Sequence, residues 1–285
     1  MKILIAILLV SNICSAQNTI LWEVRDTSNK KLSYVVGTYH HIGNSFVDSI
    51  PFIQSALINA DIAIFESVDD ENQVLEIFKN RKEDNQIESM VSKEDYASLK
   101  KIFNDSEFNL SQLKPIELLI ALRREFQISV CKSVLPTDKY DHFDNYLISI
   151  AKEKGKIVMG LESDSLQLEI LENLQNSWDL TEIRDEISYW ISKINLATST
   201  DEHCDLVNRY MKMDLDYEFN SECEDDILNS RRNEEWITKL SGLLSQKNCF
   251  IAVGLLHLKY RCGLLEAFRK NGFIVNPIIL DKASH

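Results

Sequence analysis

Two short segments near opposite ends of the chain share one pattern. Val35-Val36-Gly37-Thr38-Tyr39-His40 and Ala252-Val253-Gly254-Leu255-Leu256-His257 each run apolar, then Gly, then two residues, then His. Two imidazoles brought together by folding are ligands for borderline divalent ions such as Mn2+, Fe2+, Co2+ and Zn2+. A carboxylate would complete the set, and Glu66 ends the apolar run Ile62-Ala63-Ile64-Phe65. Such an ion lowers the pKa of its bound water and polarises a carbonyl oxygen, so hydrolysis needs no nucleophilic side chain. Glu66 is then a ligand or the general base. His41, beside His40, is a further ligand or a neighbour that orients one. Glu162 is another carboxylate after an apolar run, and it also suits the N-terminus of the helix that starts next to it.

A lone His after a strand is as readily a packing or capping residue. Glu66 alone is as readily a solvated strand end. His142, His203 and His285 lack the Gly-x-x-His context and are expected at the surface. Other chemistries find little support. The chain has no H-E-x-x-H, G-x-S-x-G, G-x-x-x-x-G-K-[ST] or G-x-G-x-x-G. Ser67 and Ser163 follow glutamates but sit in no nucleophile elbow. A thiol protease built on Cys249 or Cys262 would need a reactive thiol in an oxidising compartment. The competing class is a non-catalytic protein that uses the same crevice to bind a ligand, a metal or haem.

The candidates must be positioned by strands. Apolar runs bounded by Gly or turn residues predict strands over 20–25, 32–37, 61–66, 156–162, 249–254 and 273–280. The first two form a hairpin across Asp26-Thr27-Ser28-Asn29-Lys30. Helices are predicted over 48–60, from Ser92 as a cap, from Pro115 to about Phe126, over 140–154 and 163–174, and over 258–270. Residues 179–247 read as mostly helical and strongly charged. Strands alternating with helices predict an α/β fold with a mainly parallel central sheet. The long helical inserts predict a cap over one sheet end. His40, Glu66, Glu162 and His257 all follow strands, and open parallel sheets place their crevices at that edge.

The N-terminus has a different job. Lys2 precedes the apolar stretch Ile3–Val10, and Ser11-Asn12-Ile13-Cys14-Ser15-Ala16 ends in small residues. This predicts a signal peptide over residues 1–16, cleaved after Ala16, and an exported protein with one domain over 17–285. No later segment is apolar enough to span a membrane. The 285-residue chain carries a formal charge of −13, and loss of Lys2 takes it to −14. No basic patch stands out, which argues against nucleic acid as a partner. Lys100-Lys101 and Arg123-Arg124 read as solvated helix faces. Five cysteines remain after cleavage, enough for two disulfides and one thiol. Cys204 and Cys223 bracket an acidic segment that they could bridge. Cys249 and Cys262 flank the second Gly-x-x-His segment. The connectivity is not readable from spacing.

The sequence resembles the TraB/GumN family, which includes the Tiki proteases. The resemblance rests on Leu21-Trp22-Glu23-Val24, Val36-Gly37-Thr38-Tyr39-His40, Ile64-Phe65-Glu66, Leu113-Lys114-Pro115 and Gly155-Lys156-Ile157-Val158-Met159-Gly160-Leu161-Glu162. It continues in Arg232-Asn233-x-x-Trp236 and Phe250-Ile251-Ala252-Val253-Gly254-Leu255-Leu256-His257-Leu258. It implies a fold similar to the erythromycin esterase/ChaN-like group and a site centred on His40, Glu66 and His257. Arg232 and Asn233 match a polar pair expected to bind substrate or stabilise an oxyanion. The Tiki members imply metal-dependent proteolysis with Mn2+ or Co2+, and hence a peptide or small-molecule substrate. The chain departs from the family at Tyr260, where a Gly often stands three residues after the second motif His.

Overall fold

The computed structural model describes residues 18–280, apart from 29, 70, 199 and 224–227, with the side chains of 71–74 also left out. The expected signal segment, Cys14 and His285 lie outside the described residues. Among those residues, no helix is long and apolar enough to cross a membrane.

All six predicted strands are present as β1 (Leu21–Asp26), β2 (Lys31–Thr38), β3 (Ile62–Phe65), β4 (Ile157–Gly160), β5 (Cys249–Gly254) and β6 (Ile274–Pro277). They form one sheet in the order β4-β3-β5-β2-β1-β6. The pairs β4–β3, β3–β5 and β5–β2 are parallel, while β1 runs antiparallel to both β2 and β6. The fold is therefore mixed α/β with a mainly parallel sheet.

β5 explains the convergence of distant residues. It enters between β3 and β2, with Phe65 opposite Ala252 and Thr38 opposite Gly254. Read across the sheet, the strand ends then carry Glu162, Glu66, His257 and His40 in that order. Cys249, Phe250, Ile251, Ala252 and Val253 have no exposed surface, as befits a central strand covered on both faces. Each fully buried side chain of the Val, Ile or Phe type contributes about 1.5–3 kcal/mol.

Helix boundaries differ from the sequence reading for local reasons. The expected 48–60 helix is two helices, Asn44–Asp48 and Pro51–Asn59. Pro51 lacks an amide hydrogen and favours the first turn of a new helix. The 140–154 helix starts later, at Phe143, with His142 at the N-cap. The last helix starts at Leu264, and Leu255–Leu258 form a 3-10 turn instead. Between them Tyr260 has φ +68°. That left-handed value is cheap for Gly and costs about 1–2 kcal/mol for other residues, which accounts physically for a Gly preference at this position.

Two disulfides form, with neither of the bridges that chain proximity offered. Cys131 pairs with Cys204 and Cys223 with Cys262, leaving Cys249 free and buried. Cys204 and Cys223 are neighbours in sequence, but Cys204 stands at the turn that precedes the Asp205–Lys212 helix and closes on the end of the Pro115–Ser129 helix. The Cys223–Cys262 bridge ties the loop after His257 to the segment before residue 224. Burial pushes the Cys249 thiol up to about 11, so neither Cys249 nor Cys262 is a nucleophile.

Candidate functional site

His40, Glu66 and His257 meet at the C-terminal edge of the sheet around Gly254. A Cβ on Gly254 would stand 3.2 Å from Glu66 Oε1, 3.5 Å from His40 Nε2 and 3.7 Å from His257 Cδ2. A side chain at this position would crowd Glu66 Oε1 and stand in van der Waals contact with both histidines. The Gly254 amide donates to Glu66 Oε1 at 2.6 Å, and His257 Nε2 lies 3.5 Å from the same oxygen.

Both imidazoles are oriented through Nδ1. His40 Nδ1 donates to Asp144 Oδ2 at 2.7 Å, and Asp144 Oδ1 accepts from Thr38 Oγ1 at 2.9 Å. His257 Nδ1 meets Asn233 Oδ1 at 2.8 Å. The Asn233 amide donates from Nδ2 to the carbonyls of His257 and Cys262, at 3.1 and 3.2 Å. Those two carbonyls fix which end of the amide is oxygen, so His257 Nδ1 must donate and Nε2 keeps the lone pair. The His257 ring also packs on Trp236, with centroids 4.5 Å apart. Asn233 is thus a positioning residue for His257. The position after β5 suggests a half-exposed His257, but the residue is 3% exposed; the 3-10 turn folds it back over the sheet edge.

Arg232 occupies the centre of the charge network. Its guanidinium donates to Glu66 Oε2 at 2.6 Å, to Glu162 through Nη2, and from Nε to Glu162 Oε2 at 3.1 Å. Nη1 donates to His257 Nε2 at 3.1 Å and to the Leu228 carbonyl at 2.8 Å. Glu162 therefore joins the site, its side chain 2% exposed, whereas the helix that follows is capped by Ser163, which accepts from the Leu166 amide. Gln167 Nε2 donates to Glu162 Oε1 at 2.9 Å, the oxygen that Arg232 Nη2 also reaches.

Burial alone would raise the Glu66 pKa, but His257, His40, Arg232 and the Gly254 amide outweigh it and lower it. Burial likewise opposes charge on His40, yet the carboxylates of Asp144 and Glu66 prevail and raise it to about 9. Asp144 falls to about 2, because His40, His142 and Thr38 overcome the effect of burial. Burial, joined by the charge on His40, outweighs the opposing pull of Asp144 and lowers His142 to about 4. Burial and the neighbouring histidines push His41 well below its usual value.

Several residues sit differently from the sequence expectation. His142 is half-buried beside His40, their rings stacked at 5.2 Å, because the Phe143 amide next to it donates to the His40 carbonyl at 2.8 Å. His203 is also half-buried, bonded through Nδ1 to Asp201 and packed on Trp190. His41 has its ring 6.4 Å from His40 and a shielded Nδ1 with no hydrogen-bond partner. Arg123 and Arg124 are half-exposed and paired with Glu186 and Asp141, as a solvated helix face would be, and they also line a cavity. The residues the sequence reading missed are Asp144 and His142. A carboxylate in the first turn of a helix is ordinarily a solvated dipole partner, so Asp144 gave no separate signal.

Two cavities meet at this edge, of about 490 and 730 Å3, and both are lined by His40, His41, Glu66 and Arg124. The larger adds apolar surface from Ile120, Leu206 and Leu256 and the polar groups Arg232 and His257. Together the groups supply two fixed imidazoles, a buried carboxylate and a fixed guanidinium beside open space. That set can take a proton or stabilise an oxyanion; among the described residues, the three His and carboxylate donors that all lie within 4.8 Å of one another are those of His40, His142 and Asp144.

No curated protein and no solved structure matches the chain. The TraB/PrgY/gumN family profile matches residues 20–277, nearly the whole length. The match takes in every strand of the sheet and all of the residues that meet around Gly254. The chain belongs to the TraB/PrgY/gumN family.

Proposed function

We propose that the protein is a metal-dependent hydrolase acting on peptide bonds, exported after removal of its N-terminal segment. The observation that carries this reading is the pairing of orientations. Asp144 and Asn233 hold the Nδ1 atoms of His40 and His257, which leaves His257 Nε2 3.5 Å from Glu66 Oε1 and His40 Nε2 facing Gly254 beside the same carboxylate. Metal-binding histidines are typically held in this way, through the ring nitrogen that does not touch the ion. His40, His257 and Glu66 would hold the ion, with Mn2+ or Co2+ suggested by the resemblance to the Tiki proteases and Zn2+ or Fe2+ compatible with the donors. The bound ion would supply a Lewis acid and an acidified water. If Glu66 is the general base instead of a ligand, its carboxylate, kept ionised by its neighbours, would accept a proton from water. Arg232, whose Nη1 would give up His257 Nε2, would turn that donor to the oxyanion that forms at the carbonyl. Two cavities flanking the site suit a substrate that extends on both sides of the reacting bond. The two disulfides support an oxidising compartment.

One observation favours a second reading. Arg232 Nη1 already occupies the lone pair of His257 Nε2. In a metal-free hydrolase Arg232 would be the permanent cation and Glu66 the base. Blocked peptide mixtures incubated with chelator-stripped protein, with and without Mn2+ or Co2+, separate the readings. Cleavage that returns only with metal supports the first, and cleavage untouched by chelation supports the second. Ligand binding without any turnover places the protein in the non-catalytic class.

A further inference from the structure

A second set of donors lies on the far side of the His40 ring. Asp144 Oδ2 accepts from His40 Nδ1 at 2.7 Å and stands 3.7 Å from His142 Nδ1. One donor atom from each of the three residues lies within 4.8 Å of the others. Ligands about 2.0–2.2 Å from one ion stand no more than about 4 Å apart, so a small ring movement closes the three around a single ion.

The second observation is independent of that spacing. His142 Nδ1 is shielded from solvent and has no hydrogen-bond partner, and the same holds for His41 Nδ1. Shielded polar atoms of this kind are rare in folded proteins, and an ion or a water usually accounts for them. The cavity of about 490 Å3 gives an ion access, since His40, His142 and Asp144 all line it. Asp141 and Asp164 line it too, and carboxylates along a cleft concentrate cations there.

We propose that His142, Asp144 and the Nδ1 side of His40 form a second divalent-cation site, separate from the one assigned to Glu66 and His257. Two imidazoles and one carboxylate select a borderline ion such as Zn2+, Co2+ or Mn2+ over Ca2+ or Mg2+. Binding replaces the proton that His40 Nδ1 gives to Asp144, and that proton leaves to solvent. The proposal rests in part on the function proposed above, because it shares His40: with both ions bound, the ring bridges them through Nε2 and Nδ1, and the ion takes the place of the His40–Asp144 hydrogen bond.

Co2+ titration of the chelator-stripped full chain, followed by calorimetry and visible absorption, tests the site. The variants are His142→Phe, which keeps the ring stacked on His40, and His257→Ala. His142→Leu substitutes for the first if it does not fold by circular dichroism. The expected result is two ions in wild type and one in each variant, with affinity for the ion retained in His257→Ala falling at least 10-fold when His142→Phe is added. A single ion lost in His142→Phe and kept in His257→Ala supports this site and removes the Glu66–His257 reading. Unchanged stoichiometry and affinity in His142→Phe overturns the proposal, as does a wild-type chain that binds no Co2+.

Discussion

Arg232 donates to His257 through Nη1 at 3.1 Å, using the one imidazole nitrogen that the hydrogen bond to Asn233 leaves with a lone pair. The same guanidinium bridges Glu66 and Glu162, two carboxylates whose side chains are 9% and 2% exposed. A cation is thus built into the place where the proposed metal must share ligands.

Removing that cation has a definite expected outcome. In metal-free protein, Arg232→Ala leaves Glu66 and Glu162 buried without their partner, at a cost of about 3–5 kcal/mol. A divalent ion then has unopposed access to His257 Nε2 and Glu66. Mn2+ should therefore raise the melting temperature of Arg232→Ala more than that of wild type. Thermal melts with EDTA and with Mn2+ check this. An equal Mn2+ effect on both proteins would show that Arg232 and the ion do not compete.

Asn233 tests whether orientation matters apart from contact. Asn233→Ala removes the acceptor that fixes the His257 tautomer and two donors to main-chain carbonyls. Metal affinity or turnover should fall about 10- to 100-fold, with a stability loss of about 1–3 kcal/mol. His257→Ala should lose both function and stability, because the ring is buried against Trp236. Melting temperature and Co2+ affinity measured on the same preparations distinguish the two variants. An Asn233→Ala protein with wild-type affinity would remove Asn233 from the positioning role.

The His40–Asp144 pair sets a pH window in metal-free protein. The Asp144 pKa is depressed to about 2, so its contribution is full above the ordinary 3.8 and is lost as pH falls through about 2. The His40 pKa is raised to about 9, so its contribution is full below 6.5 and is lost as pH rises through about 9. Stability from the pair should hold between those ordinary values and decline from 6.5 to about 9. The His40 ring proton resonance should titrate near 9 in wild type and well below that in Asp144→Asn. A His40 that titrates at its usual value in wild type would contradict the ion pair.

How much of this was legible beforehand varies by residue. His40 and His257 announce themselves because an apolar run, a Gly and a His fix a strand end and a turn within six residues. All six strands were readable, since a central strand such as β5 must be apolar on both faces. Asp144 and His142 were not, because they reach His40 only through a helix start at Phe143 whose amide bonds the His40 carbonyl, a contact between segments far apart in sequence. The disulfides were unreadable for a similar reason. Cys262 finds Cys223 only because the chain turns back after β5, and no spacing rule encodes that turn. Glu162 reads slightly better as a helix-terminal charge in the sequence, and only the fold brings Arg232 to it.

Tyr260 offers a check on the loop after His257. Its φ of +68° suits Gly. Tyr260→Gly should leave the fold unchanged and stabilise it by up to about 1 kcal/mol, after the lost side-chain packing is set against the relieved strain. Chemical denaturation of both proteins measures it. A destabilisation above about 1 kcal/mol would mean that the Tyr260 side chain, which meets Lys259 at 5.0 Å, matters more than its backbone.

The most direct measurement is a crystal structure of the chelator-stripped protein soaked in Co2+, with anomalous scattering recorded at the cobalt edge. The account predicts a peak about 2.0–2.2 Å from His40 Nε2, His257 Nε2 and a Glu66 oxygen, with the Arg232 guanidinium moved off His257. A fully occupied soak with no peak among these three residues, and Arg232 still bonded to His257, would contradict it.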